Sequence, residues 1–131
     1  MRNIVKVELF LLVLLLVVFA TLLLPAAIYA RRELRDGIRR NELTNFKTEL
    51  EKYYNKHEAY PLTFNAVPHQ YFLVDKDSKG ATKWFFRAKM ENSHKAEEGF
   101  DKEAGHNYYY RYLNENNSTY FDVCGGLYEC K

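Results

Sequence analysis

Only two cysteines, three prolines, six glycines and one tryptophan occur in the 131 residues. Prolines and glycines this sparse leave no low-complexity linker, and no internal repeat is present. Excess charge of either sign is also missing, with 19 Lys and Arg against 17 Asp and Glu. Residues 1–30 hold only Arg2, Lys6 and Glu8 of these, so the remainder is nearly neutral, which excludes a nucleic-acid polyelectrolyte. His57, His69, His94 and His106 have no metal-ligand spacing with one another or with the cysteines, and no nucleophile motif surrounds Ser78, Ser93 or Ser118. The chain is therefore read as a non-enzyme without a cofactor.

What is present begins with an uncharged run from Leu9 to Ile28, broken in character only by Thr21 and Pro25. As a helix it spans about 30 Å, the thickness of a bilayer's hydrocarbon core. A signal peptide has a shorter apolar region of about 7–15 residues before a small-residue cleavage site. The stretch Pro25-Ala26-Ala27-Ile28-Tyr29-Ala30 offers such small residues, but the length of the run favours a retained anchor. Glu8 stands at the mouth of the run, where a carboxylate either snorkels to the headgroups or meets an appointed cationic partner. Pro25 removes one backbone bond and is expected to kink the helix.

The helical pattern continues past the span. Leu34, Ile38, Leu43, Phe46, Leu50 and Tyr53 or Tyr54 recur at helical spacing among charged residues, predicting one apolar stripe on a solvated helix. Gly37 weakens this helix without ending it. The end is expected near His57, ahead of Pro61, because proline disfavours helix in the residue before it. A rod of about 75 Å from Lys6 to Lys56 would result. The expected division is a tip and transmembrane helix over 1–30 and a second domain over 31–131, made of a helix continuation, 31–57, and a sheet region, 62–131.

Beyond Pro61 the period becomes extended. Residues 70–74 and 82–87 are aromatic and branched runs about the turn cluster 75–80, and residues 108–113 and 119–124 flank a second turn at 114–118, giving two hairpins. Residues 88–106 are polar and read as an exposed excursion, partly helical around Lys95 to Glu98. Asp75 and Asp77 before Gly80 suggest the start of a calcium loop, but Lys79 and Phe86 stand where ligands belong, so a plain turn is favoured. Asn116 and Asn117 begin glycosylation sequons that are more simply turn residues. Ten of the eleven tyrosines follow residue 50, suiting a half-buried sheet or a contact surface. The fold class is α+β: a long N-terminal helix, half transmembrane and half amphipathic, on a small antiparallel sheet.

Charge and cysteine disagree on orientation. Arg31, Arg32, Arg35, Arg39 and Arg40 follow the span and favour a cytoplasmic second domain by the positive-inside rule. This basic run either solvates the emerging helix or meets anionic headgroups. Cys124 and Cys130, six residues apart around the glycine pair 125–126, read as a disulfide in an exported domain and as thiols in the cytosol.

A polar head, a Glu opening an apolar helix, a Pro seventeen residues later, an arginine-rich exit and the run from Asn41 to Tyr54 into Ala59-Tyr60-Pro61 together resemble the type IV pilin and pseudopilin superfamily. The tyrosine-rich strands and the segment Cys124 to Cys130 resemble the C-terminal region of such subunits, including its disulfide. The resemblance covers residues 4–61 well and 105–130 loosely. It implies a structural subunit that is stored in the inner membrane as a single-pass protein, with its sheet domain outside the cytoplasm, and that assembles with like subunits into a filament or pseudopilus. It also implies a prepilin peptidase and an assembly platform as partners beside membrane lipid. The peptidase cut would fall between Asn3 and Ile4, where the family carries glycine at the position of Asn3. Glu8 and Pro25 would serve assembly. The departure at Asn3 keeps a second expectation open, an anchored binding module of the same architecture that does not assemble.

Overall fold

The computed structural model describes residues 2–94, 98–103, 106–126 and 130 of the chain, with side chains throughout except at 2–4, 98, 100–103 and 106–107. Among these residues, one helix, α1 (Arg2–His57), is followed by five strands: β1 (Gln70–Lys76), β2 (Ala81–Lys89), β3 (Glu98–Glu103), β4 (His106–Glu115) and β5 (Ser118–Gly126). All pairings are antiparallel, in the order β1-β2-β5-β4-β3. The chain divides into two compact units, Met1–Leu34 and Arg35–Lys131.

α1 ends where Pro61 requires, and Glu58 closes it by donating its N–H to the Tyr54 carbonyl at 2.7 Å with φ of 55°. From Arg35 onward the helix packs on the sheet: Leu43 and Leu50 are fully buried, and Phe46 and Tyr54 lean on the same cluster. The strands meet them through their alternation. Trp84, Phe86 and Ala88 of β2 and Phe121 and Val123 of β5 point into this core, while Phe85, Arg87 and Asp122 take the opposite face. Phe86 sits among Phe46, Phe64, Tyr71 and Trp84, with ring centroids 5.2–5.6 Å apart. Tyr71 donates its hydroxyl to the Pro61 carbonyl at 2.9 Å, and burial pushes its phenol up to about 12.

Both hairpins fall where the turn clusters predict them. Two expectations need correction. Residues 98–103 are not excursion but an edge strand: β3 pairs with β4 from Glu98 opposite Arg111 to Glu103 opposite His106. The helix expected around Lys95 to Glu98 is replaced by this strand at Glu98, and residues 95–97 lie outside the described residues. The predicted stripe also fails at its N-terminal end, since Leu34 and Ile38 are 68% and 52% exposed. The buried face instead follows residues 36, 43, 47 and 50, so its first member is Asp36. Ile38 lies five residues, about 140° of helical rotation, from Leu43 and cannot share its face.

The pair Gly125-Gly126 is a fitted joint. A Cβ at Gly125 would stand 2.4 Å from the Trp84 ring, and Gly126 has φ of 69° with its Cβ position 2.2 Å from the Thr82 carbonyl oxygen. Glycine at both positions allows β5 to lie flat against β2.

Candidate functional site

The residues singled out in the sequence divide between the two units. In Met1–Leu34, α1 is long and apolar enough to cross a membrane, and among the described residues no side chain of its most apolar stretch is buried. Phe10, Leu22 and Leu24 are more than 60% exposed. Glu8 and Pro25 are both exposed on this helix, and among the described residues Glu8 has no hydrogen-bond or ion-pair partner. Asn3 and Ile4 are helical in backbone, with side chains outside the described residues. Pro25 offers no N–H to the carbonyl of Thr21, while the Thr21 hydroxyl donates to the Val18 carbonyl at 2.8 Å. A hydroxyl is thereby satisfied within the helix and a carbonyl is left without its helical donor.

In Arg35–Lys131, the helix opens on a charged clasp. Asp36 is wholly buried and accepts the backbone N–H groups of Glu91 and Asn92 at 2.8 and 2.9 Å and the Arg39 guanidinium at 3.0 Å. Glu91 receives Arg35 through both oxygens, at 2.9 and 2.6 Å, and Arg39 at 2.7 Å. The hydrogen bonds and charge of Arg35 hold the Glu91 carboxyl down to about 2, and Glu91 raises Arg35 in return. Arg40 donates to the Tyr112 hydroxyl. Lys47, a buried cation, lies 4.2 Å above the Tyr108 ring. Three of the five arginines that follow the span are therefore engaged within the domain, and the reading of this run as a lipid-headgroup patch narrows to Arg31 and Arg32.

The sheet's outer face holds a second buried carboxylate. Asp122 takes Arg87 in a two-pronged pair at 2.7 Å each and Arg111 at 3.1 Å, and the guanidinium of Arg111 also reaches the Cys130 carbonyl at 2.6 Å. The bonds from Asp122 raise Arg87 above its ordinary value. Arg87 stands 5.3 and 5.2 Å from the ring centroids of Phe85 and Tyr120. Cys124 and Cys130 are joined in a disulfide with Cα atoms 5.8 Å apart, so the tail is fixed to the sheet both covalently and through Arg111. Residues 127–129 of the loop lie outside the described residues.

Asp75 and Asp77 flank the first hairpin turn without converging. Asp77 accepts the N–H groups of Lys79 and Gly80 at 2.8 and 3.0 Å, and Asp75 faces Lys83 at 3.8 Å. That geometry is a side-chain-capped turn.

Comparison of the chain with protein-family models, with curated proteins and with solved structures returns no significant match.

Sequence reasoning missed Asp36, Asp122 and Lys47 because it ranked helix and strand positions by apolarity. The available signal was spacing: residues 36, 40, 43, 47, 50 and 54 advance by alternating fours and threes, the step of one helix face irrespective of residue type.

Proposed function

We propose that this chain is a non-enzymatic, membrane-anchored structural subunit of the type IV pilin and pseudopilin kind, which associates through its N-terminal helix with like subunits in a filament or pseudopilus. The observation that carries the reading is the double use of α1: one uninterrupted helix is apolar and uncovered in its first half and forms the spine of a sheet domain's core in its second. A helix built to stay alone in lipid needs no carboxylate and no orphaned carbonyl. Glu8 and the Thr21 carbonyl both gain from a neighbouring helix, Glu8 by pairing with Lys6 or Arg2 of another subunit and the carbonyl by escaping bare hydrocarbon. The disulfide supports a domain outside the cytoplasm, on a single-pass protein of the inner membrane.

Glu8→Leu separates assembly from anchoring. It lengthens an already sufficient apolar run, so insertion and domain folding are expected to persist, while crosslinking between single cysteines placed along the helix in membranes falls relative to the parent. A charge pair across subunits is lost in a low-dielectric setting, and register is lost with it. Equal crosslinking in both proteins, or none in either, favours the anchored binding module that the Asn3 departure allows.

A further inference from the structure

A cavity of about 240 Å³ lies where the end of α1 meets the β1–β2 hairpin, lined by Tyr54, Glu58, Asp77, Lys79, Thr82 and Gly126 among others. It falls wholly within the unit Arg35–Lys131. Tyr54 supplies the aromatic wall: its half-buried ring stacks on that of Tyr60, centroids 4.7 Å apart and planes 32° from parallel, while Tyr60 itself is buried in the core. The Tyr60 hydroxyl is committed to Glu51 at 2.8 Å and its ring packs against Tyr54 and Trp84, so Tyr60 backs the wall and Tyr54 faces the cavity. The last carbonyls of α1 bring the negative end of the helix to the same place. Two carboxylates complete the lining. Asp77 spends one oxygen on the turn, through the N–H groups of Lys79 and Gly80. Glu58 occupies the left-handed position after the helix, φ 55°, where glycine is the residue without steric cost.

We infer that this cavity binds an alkylammonium or guanidinium head on a slim apolar stem, carried by a lysine or arginine side chain of another protein or by a free amine. The Tyr54 ring, a helix C-terminus and two carboxylates stand against the one ammonium of Lys79, all three charged groups being exposed, and this balance selects a cation over an anion or a neutral ligand. The volume falls short of an ordinary cofactor pocket, roughly 300–1,000 Å³, and suits one long side chain.

The test uses the full chain in detergent micelles with backbone amide NMR. Capped Ala-Lys-Ala, capped Ala-norleucine-Ala and cadaverine are titrated to about 50 mM, within the millimolar range where contacts this small bind. Saturable shifts at Tyr54, Thr82 and Gly126 with a cationic probe, at least about tenfold weaker with the norleucine peptide and with the double variant Glu58→Gln, Asp77→Asn, are the expected result. Tighter binding of the lysine peptide than of cadaverine assigns the ligand to a protein side chain, and the reverse order assigns it to a free amine. Asparagine at 77 keeps the turn, since its carbonyl accepts the same N–H groups. Glu58→Gly supplies the control for folding: it is expected to melt at a higher temperature than the parent, relieved of the left-handed strain, yet to bind more weakly. Equal response to the norleucine peptide, absence of saturation, or unchanged binding in the double variant overturns the proposal.

Discussion

Asp36 and Glu91 divide one task between a buried and an exposed carboxylate. Asp36 satisfies two backbone donors where the chain leaves β2, in a setting where unpaired groups are costly, while Glu91 gathers Arg35 and Arg39 at the surface. Asp36→Ala orphans both N–H groups, at about 1–3 kcal/mol each, while Arg39 keeps Glu91, so a loss of about 2–5 kcal/mol is expected in urea unfolding. Faster hydrogen exchange concentrated at the Glu91 and Asn92 amides would locate the damage. A loss below about 1 kcal/mol would show the clasp to be dispensable. Glu91 sets an acid limit. Its carboxyl sits at about 2 in the folded chain against an ordinary 4.5, so its contribution is complete above about 4.5 and disappears as pH falls toward 2. Glu91→Gln should flatten the stability curve in that window and leave its shape near neutrality unchanged. An unaltered slope between pH 4.5 and 2 would remove Glu91 from the acid transition.

The elements divide into those that local chemistry dictates and those that need a distant partner. α1 and its end before Pro61 were legible because a long uncharged run, a helical repeat and a proline act over a few residues. The hairpins β1–β2 and β4–β5 were legible because each has its turn chemistry between its own strands. Strand β3 was not. Glu98, Asp101, Lys102 and Glu103 give it the composition of a loop, and its ladder to β4 supplies what its side chains do not. The buried stripe of α1 was half legible for a related reason: Leu43 and Leu50 announce themselves, while Asp36 enters the interior only because the chain after β2 returns to it with two N–H groups. Of the candidate site residues, the cysteine pair could be read from spacing, whereas the capping role of Asp77 needed the folded turn. The tail offers an element-scale prediction. Changing Cys124 and Cys130 to Ser opens a six-residue closure and should cost about 2–3 kcal/mol, seen as a lower melting temperature than the parent without reductant. Arg111 would still hold the Cys130 position through its carbonyl, so release of the tail should be partial. No difference between the two proteins would show that Arg111 alone suffices.

For the whole chain, the proposal of a membrane-anchored subunit leaves one decisive question, which side of the membrane the sheet domain faces. The native cysteines are poor reporters, being bonded to each other and buried. Val67 is 77% exposed on the loop before β1, and Val67→Cys offers a thiol away from the core. With the domain outside the cytoplasm, this thiol should react with a membrane-impermeant maleimide in intact cells made permeable only at any outer barrier. Labelling confined to cells whose inner membrane has been broken would reverse the orientation. The strand order also settles a matter of timing. Among the described residues, β5 is the last strand in sequence and lies at the centre of the sheet, where it joins the β1–β2 hairpin to the β4–β3 pair. A ribosome therefore delivers the apolar helix first and the keystone strand after the other four described strands. Until Phe121 and Val123 emerge, the earlier hairpin waits with Trp84 and Phe86 incompletely covered, and any nascent chain stalled before Ser118 holds a helix ready for lipid beside a domain that cannot yet close.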